Sequence, residues 1–252
     1  MKKFELTTEF ITNALGKKLF RIKALVEFGS VKAGELGGYA EKEENISQDG
    51  NAWVSGDARV YGNAWVSGDA RVYGDAWVHG NAKVFGNAEV YGDTEVSGDA
   101  KVFGNVRVSD NVRVSDNAKV FGNAKVYGDA KVSDNAKVFG DACVYGDAKV
   151  FGNAWVYGDT EVSGDAKVSD NAEVSGDADY ALVKGFGTEF RCTTFYRDKN
   201  KKIMVNCGCF HGDLEAFRKQ VKETRSGKIA KEYLMIADLM EYHFTSEDSS
   251  DE

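Results

Sequence analysis

Residues 118–141 read AKVFGNAKVYGDAKVSDNAKVFGD, four copies of one six-residue unit, Ala-x-Val-x-Gly-Asn/Asp or a near variant. Outward from this stretch a valine recurs at every sixth position from Val54 to Val174, twenty-one in all, without insertion or deletion. Neither a helix nor a hairpin has that period, so the repeat decides the fold before any single residue does. Within Ala82-Lys83-Val84-Phe85, small apolar residues alternate with residues of any kind, the period-two pattern of a short strand with one buried face. Ala and Val point inward. The Gly-Asn or Gly-Asp that follows is a turn signal, because Gly adopts positive φ freely and Asn and Asp tolerate it better than other residues. Each hexad is therefore a strand plus a corner. Strands that all run the same way cannot pair within one hexad, so each must pair with the next coil, as in a parallel β-helix.

The unit resembles the hexapeptide repeat of left-handed parallel β-helices, in which three hexads close one triangular coil. That resemblance implies seven coils over residues 50–179, and at about 4.8 Å per coil a rod roughly 34 Å long. Its interior would be Val and Ala throughout, each buried Val contributing about 1.5–3 kcal/mol before chain entropy is charged. More narrowly, residues 31–54, VKAGELGGYAEKEENISQDGNAWV, resemble the start of YdcK-type hexapeptide-repeat proteins, uncharacterised chains of bacteria and phages often labelled transferases by fold. Residues 205–221, VNCGCFHGDLEAFRKQV, are similar to a small domain appended to repeat proteins in phage and prophage genomes. Neither resemblance brings a catalytic residue with it.

Four segments are expected: an N-terminal cap at 1–49, the β-helix at 50–179, a small α+β domain at 180–244 and a disordered acidic tail, TSEDSSDE, at 245–252. Both ends of a solenoid expose unpaired strand edges, which the flanking segments are suited to cover. LFRIKALVEF at 19–28 reads as a strand, and Gly34, Gly37 and Gly38 mark an irregular start to the first coil. Phe190–Arg197 and Ile203–Phe210 read as two strands joined at Asp198-Lys199-Asn200-Lys201. Asp213 reads as the N-cap of a helix carrying Leu214, Phe217 and Val221, and Lys228–Phe244 as a second helix.

The charge partition is uneven. Residues 1–49 carry eight basic and eight acidic side chains, 50–179 carry twelve and twenty, and 180–252 carry twelve and twelve, so the whole net charge of −8 sits on the repeats. Such a body disfavours nucleic acid. No apolar run approaches the roughly 20 residues of a membrane span, and the first residues, MKKFE, do not start a signal peptide; a cytoplasmic protein without membrane contact is expected.

An eighteen-residue coil places Lys83/Phe85, Lys101/Phe103, Lys119/Phe121, Lys137/Phe139 and Trp155/Tyr157 on one face as adjacent ladders of cations and rings. Three readings apply: like rings that stabilise the coil by stacking, a protein-binding or self-association surface forming a trimer or dimer, and a site for phosphate-bearing ligands or single strands. One corner repeats Asp57, Asp75, Asp93, Asp129, Asp147 and Asp165, interrupted by Asn111; turn preference explains it, and a divalent-cation ridge or an imitation of a nucleic-acid backbone competes. Another corner prefers Asn, from Asn63 to Asn171.

Catalytic candidates are few. Left-handed β-helix acyltransferases use a general base, usually His, beside a cofactor cleft and often a protruding loop. The repeats have no inserted loop, and His79, on an outward position, is their one histidine. Three histidines in the chain, His79, His211 and His243, do not group as a carbonic-anhydrase metal site requires. Two threonines in the repeats, Thr94 and Thr160, do not form ice-binding ranks. Cys192, Cys207, Cys209 and His211 make a C-x-C-x-H run facing a third thiol, a zinc pattern weighed against buried free thiols. The sequence thus predicts a non-enzymatic binding or scaffold protein without cofactor, a host-directed interaction or inhibitor protein of phage type being its refinement. An acyltransferase using acetyl-CoA at trimer interfaces is the alternative.

Overall fold

The computed structural model describes residues 2–188 and 190–245. Twenty-one short strands, from β4 (Trp53–Val54) to β24 (Glu173–Val174), form three sheets of purely parallel pairs, one along each side of a solenoid. The register is invariant: Lys83 lies beside Lys101, then Lys119, Lys137 and Trp155, a step of 18 residues. Three hexads therefore close each coil, as the repeat implied. The inward positions Val54, Val72, Val90 and onward to Val174 have no exposed surface, and the alanines that precede them fill the same core. Hydrogen bonds run from coil to coil, for example from Lys101 N to Ala118 O at 2.9 Å and from Asn105 N to Gly122 O at 2.8 Å.

The corners show why Gly is repeated. At Gly104 φ is +92°, and an added Cβ would stand 2.7 Å from the carbonyl oxygen of Gly122 in the next coil. Four corners carry aspartate there instead: Asp110, Asp116, Asp134 and Asp170 all have φ near 60°. The left-handed conformation is offset because the carboxylate reaches the next coil's backbone. Gly128 N donates to Asp110 Oδ2 at 3.0 Å and Gly152 N to Asp134 Oδ2 at 3.0 Å.

The first coil starts earlier than the repeats do. Strand β3 (Leu36–Ala40) lies parallel to Arg59–Val60, and Ile46 bridges Val66, which adds a partial eighth coil below the seven. Two antiparallel strands extend that sheet, β1 (Phe4–Thr12) and β2 (Lys18–Ala24). The strand read at 19–28 thus ends at Ala24, and β1 was not legible at all. Gly37 and Gly38 are strand residues, not an irregular approach: a Cβ at Gly37 would stand 2.5 Å from Val54 O, and one at Gly38 2.6 Å from Ala58 O. Phe4 and Phe28 pack edge-on against Trp53 and close the Val/Ala cross-section.

The C-terminal module is a four-stranded antiparallel sheet, β25 (Tyr180–Phe186), β26 (Arg191–Arg197), β27 (Ile203–Cys207) and β28 (Phe210–Asp213), followed by α1 (Leu214–Thr224) and α2 (Gly227–Thr245). Asp213 caps α1 as expected, its Oδ1 accepting from Ala216 N at 2.7 Å, and Leu214, Phe217 and Val221 are buried with Phe195 and Val205. Two strands were missed. The expected strand 203–210 is broken at Gly208, whose φ of +62° turns the chain into a hairpin. The expected acidic tail at 245–252 lies, but for Thr245, outside the described residues.

Candidate functional site

On the face that carries the Lys and Phe ladders the five rings form one continuous stack. Phe85, Phe103, Phe121, Phe139 and Tyr157 follow at centroid distances of 4.8, 5.0, 4.8 and 4.9 Å with planes within 6° of parallel. The spacing between coils is that of stacked rings, so the sheet's own geometry aligns them. Each ring covers its neighbours, leaving all five half-buried. Beside them stand Lys83, Lys101, Lys119 and Lys137, and Lys137 Nζ sits 4.0 Å above the ring of Trp155, itself 40% exposed. Tyr157 Oη donates to Glu173 at 2.8 Å, and that bond raises the phenol pKa.

The other two sides are interrupted versions of the same design. On one, Tyr73 stacks on Tyr91 and Tyr127 on Tyr145 with Ser109 between the pairs, and on the other Tyr61 stacks on His79 before Ser97 ends the run. Two of the three corners carry amide ladders. Asn87 Nδ2 donates to Asn105 at 2.9 Å, Asn105 to Asn123 at 3.1 Å and Asn123 to Asp141 at 2.9 Å. The Asp corner has such a link at Asn111, whose amide donates to Asp129 at 3.0 Å. Its carboxylates are spread along the axis, and among the described residues no three His, Cys, Asp or Glu side chains converge as a metal site would require.

The remaining candidates are placed elsewhere. His79 is packed flat on Tyr61 at 4.9 Å, and its Nε2 is 2.9 Å from Glu95 Oε1. Cys192, Cys207, Cys209 and His211 do not share a strand face, because the hairpin at Gly208 separates Cys207 from Cys209 and His211. Cys207 Sγ accepts from Thr193 Oγ1, while burial pushes the Cys192 thiol above its ordinary pKa. Both ring nitrogens of His211 are engaged, Nδ1 with Asn206 Oδ1 at 2.7 Å and Nε2 with Asp170 Oδ2 at 2.8 Å.

His211 belongs to a set that the sequence did not reveal. At the last coil the side chains of the C-terminal module stand where a further strand would be. Thr194 Oγ1 accepts from Lys167 N at 3.0 Å, and Asn206 Nδ2 donates to Lys167 O at 2.9 Å. His211 meets the carboxylate of Asp170, as the next coil's N–H groups meet Asp110 and Asp134. Tyr196, fully buried, completes the Val/Ala core and touches Ser169 Oγ at 3.1 Å. At the opposite end Lys3 Nζ donates to Ala52 O at 3.0 Å and Asn45 Nδ2 to Ala64 O at 2.9 Å. Burial lowers the Lys3 pKa to about 8 against the pull of Asp49 and Asp69. Strand edges at both ends of the solenoid are thus met from within the chain, at Ala52 and Ala64 by Lys3 and Asn45 and at Lys167 by Thr194 and Asn206.

These features define a parallel β-helix protein closed at both ends, with side-chain columns along its flanks. Residues 42–142, less than half of the chain, match the family model described as "Bactofilin: Polymer-forming cytoskeletal". Among solved structures, a Bacillus cereus protein assigned as an acetyltransferase aligns over 71% of this chain and 85% of its own, at 11% identity and a TM-score of 0.33, values that carry no argument about either. No protein with a curated description matches the chain. No helix among the described residues is long and apolar enough to cross a membrane.

Proposed function

We propose that the chain is a non-enzymatic scaffold, a rigid rod that joins protein partners, further copies of itself among them, through its flanks rather than its ends. The observation that carries this reading is the double closure. Solenoids that grow by adding coils must offer an unpaired edge, and here Lys3 and Asn45 at one end and Thr194, Asn206 and Tyr196 at the other occupy those edges. What remains open is the side. The similarity of residues 42–142 to a polymer-forming cytoskeletal family supports assembly as the purpose of such a rod. The uninterrupted column from Phe85 to Tyr157, with Lys83, Lys101, Lys119, Lys137 and Trp155 beside it, is the flank best suited to docking, because it repeats one chemistry over five coils. A trimer or dimer built on that flank, and a host protein as its target, are the finer forms of the same reading.

Replacing Lys101 and Lys119 by Glu reverses the centre of the column without disturbing the core. The double variant is expected to lose self-assembly, followed by sedimentation and electron microscopy, while melting within a few degrees of wild type. Wild-type chain that stays monomeric, or a variant that assembles equally well, overturns the flank assignment.

The acyltransferase alternative requires a base at a cofactor cleft, and His79 lies instead on an open side, stacked and hydrogen-bonded. Acetyl-CoA at millimolar concentration is expected to leave the melting temperature unchanged. A rise of several degrees, by mass action on the folded state, would favour the enzyme.

A further inference from the structure

At its C-terminal end the Lys and Phe column changes character. Trp155 takes the place that Lys83, Lys101, Lys119 and Lys137 hold in the coils before it, and its indole plane lies at 73° to the ring of Phe139. The Phe rings lie across the rod, stacked along its axis, so the indole is turned along that axis and Trp155 remains 40% exposed. Lys137 Nζ stands 4.0 Å from the centre of the indole. Beside it the hairpin between β26 and β27 leans over the last coil. Lys199 N donates to Asn171 O at 3.1 Å, Asp198 bridges Ala172, and Asp198 Oδ1 ties the turn by accepting from Asn200 N and Lys202 N at 2.8 and 2.9 Å. Rod and hairpin together enclose a cavity of about 400 Å³, within the range of small-molecule sites, with Lys137, Asn153, Trp155, Asn171, Glu173 and Lys199 on its walls.

We propose that this cavity binds a sugar that carries an anionic group, a uronate or a sugar phosphate. Three features of the walls specify that chemistry together. The exposed indole offers a flat, electron-rich face to the C–H bonds on one side of a pyranose ring. Around it the amides of Asn153 and Asn171 each offer donors and an acceptor, the complement of a sugar hydroxyl, which is both. Asn135 Nδ2 donates to Asn153 Oδ1 at 3.2 Å and the linked run of amides ends there, so Asn153 Nδ2 and the Asn171 side chain remain for a ligand. The charge comes from Lys137 on the rod and Lys199 on the hairpin, and among the described residues neither has a carboxylate within ion-pair distance. Glu173, the acid on the walls, is already engaged, accepting from Tyr157 Oη at 2.8 Å. Two cations against one engaged carboxylate leave the cavity short of an anion. A bare anion would meet the lysines and leave the indole wet, and a neutral sugar would cover the indole and leave both lysines unmatched. A ring that bears a carboxylate or phosphate meets all of the walls at once.

The cavity shares Lys137 and Trp155 with the docking flank but needs no second copy, so a chain that stays monomeric and binds the sugar supports the cavity and overturns only the flank. The chain has four tryptophans, whose indole N–H resonances can be followed by nuclear magnetic resonance and of which Trp155→Phe removes one. Sodium glucuronate or glucose 6-phosphate is expected to move that resonance and leave the other three, with half-saturation in the millimolar range that a single sugar on an open site implies. Glucose, which lacks the anion, and inorganic phosphate, which lacks the ring, are each expected to bind at least about tenfold more weakly. Lys137→Gln and Lys199→Gln are each expected to weaken the anionic sugar about tenfold with unchanged circular dichroism and melting. Lys83→Gln, three coils away on the same column, is expected to bind as wild type does. The proposal is overturned if neither anionic sugar moves the Trp155 resonance at tens of millimolar, if glucose or phosphate alone binds as tightly, or if Lys199→Gln binds unchanged. Adenosine monophosphate that binds more tightly than glucose 6-phosphate overturns the sugar in favour of a nucleotide.

Discussion

A Val114→Asp chain is expected to lose about 6 kcal/mol of stability at neutral pH. Val114 sits in the middle of the solenoid with no exposed surface, between Val96 and Val132 of the adjoining coils. About 2 kcal/mol is the burial that the valine gave up. About 4 kcal/mol is the work of holding a carboxyl protonated three pKa units above its ordinary value, for want of a partner in a wall of Val and Ala. The loss equals the whole stability of many domains. Because each coil touches only its neighbours, the damage should divide the rod: two blocks that melt separately in urea, where wild type melts as one. Below about pH 4 the penalty should shrink towards the 2 kcal/mol of burial, a built-in control. Arg113→Gln, one residue away and pointing outward, forfeits only an exposed ion pair with Glu95 at 3.8 Å and should change stability by no more than about 0.5 kcal/mol. A Val114→Asp variant that unfolds in one transition within about 1 kcal/mol of wild type would contradict this account of the core.

The same locality explains what the sequence disclosed. Each hexad states its own strand and corner, and once the resemblance to the hexapeptide repeat supplied three hexads per coil, the columns of Lys, Phe, Asn and Asp could be written down. The corners Asp110, Asp116, Asp134 and Asp170 were less legible, because Asp at a glycine position is offset by a partner far along the chain, an N–H eighteen residues on for the first three and His211 for Asp170. Gly37 and Gly38 deceived for a related reason. Glycine read locally means a turn, but here the missing Cβ admits Val54 O and Ala58 O from the coil above. The half-burial of the Phe column also escaped a reading by faces. An outward residue is exposed only if nothing stands on it, and in this fold its own repeats do. The cysteine run failed at one residue, Gly208, which turned a supposed strand into a hairpin. Least visible was the module's imitation of a coil, since Thr194, Asn206 and His211 carry no periodicity that would link them to Lys167 and Asp170.

That imitation sets the second large expectation. Tyr196→Ala removes the fully buried side chain that the C-terminal sheet contributes to the Val/Ala core, beside the partly buried Tyr180 and Met204, and should cost about 3–5 kcal/mol, as large aromatic truncations do. The loss should fall on the junction. Lys167 N and O would lose the fixed positions of Thr194 and Asn206, and the last coils would fray, which limited proteolysis near Asp170 reads directly. Tyr196→Phe keeps the ring and forfeits only contacts to Ser169 and Asn206 at 3.1 and 3.3 Å, so about 1 kcal/mol is expected. The phenol gives an independent reading through pH. Burial pushes its pKa from 10 to about 12, so between those values the folded chain holds a proton that the unfolded chain has released. Stability is then fully present below pH 10 and falls as pH rises towards 12. In Tyr196→Phe that share of the alkaline loss should vanish, leaving a shallower decline. If wild type and Tyr196→Phe lose stability in parallel across this window, Tyr196 is not the seal of the rod, and the closure on which flank assembly rests would have to come from Thr194, Asn206 and His211 together with the backbone contacts at Asn171 and Ala172.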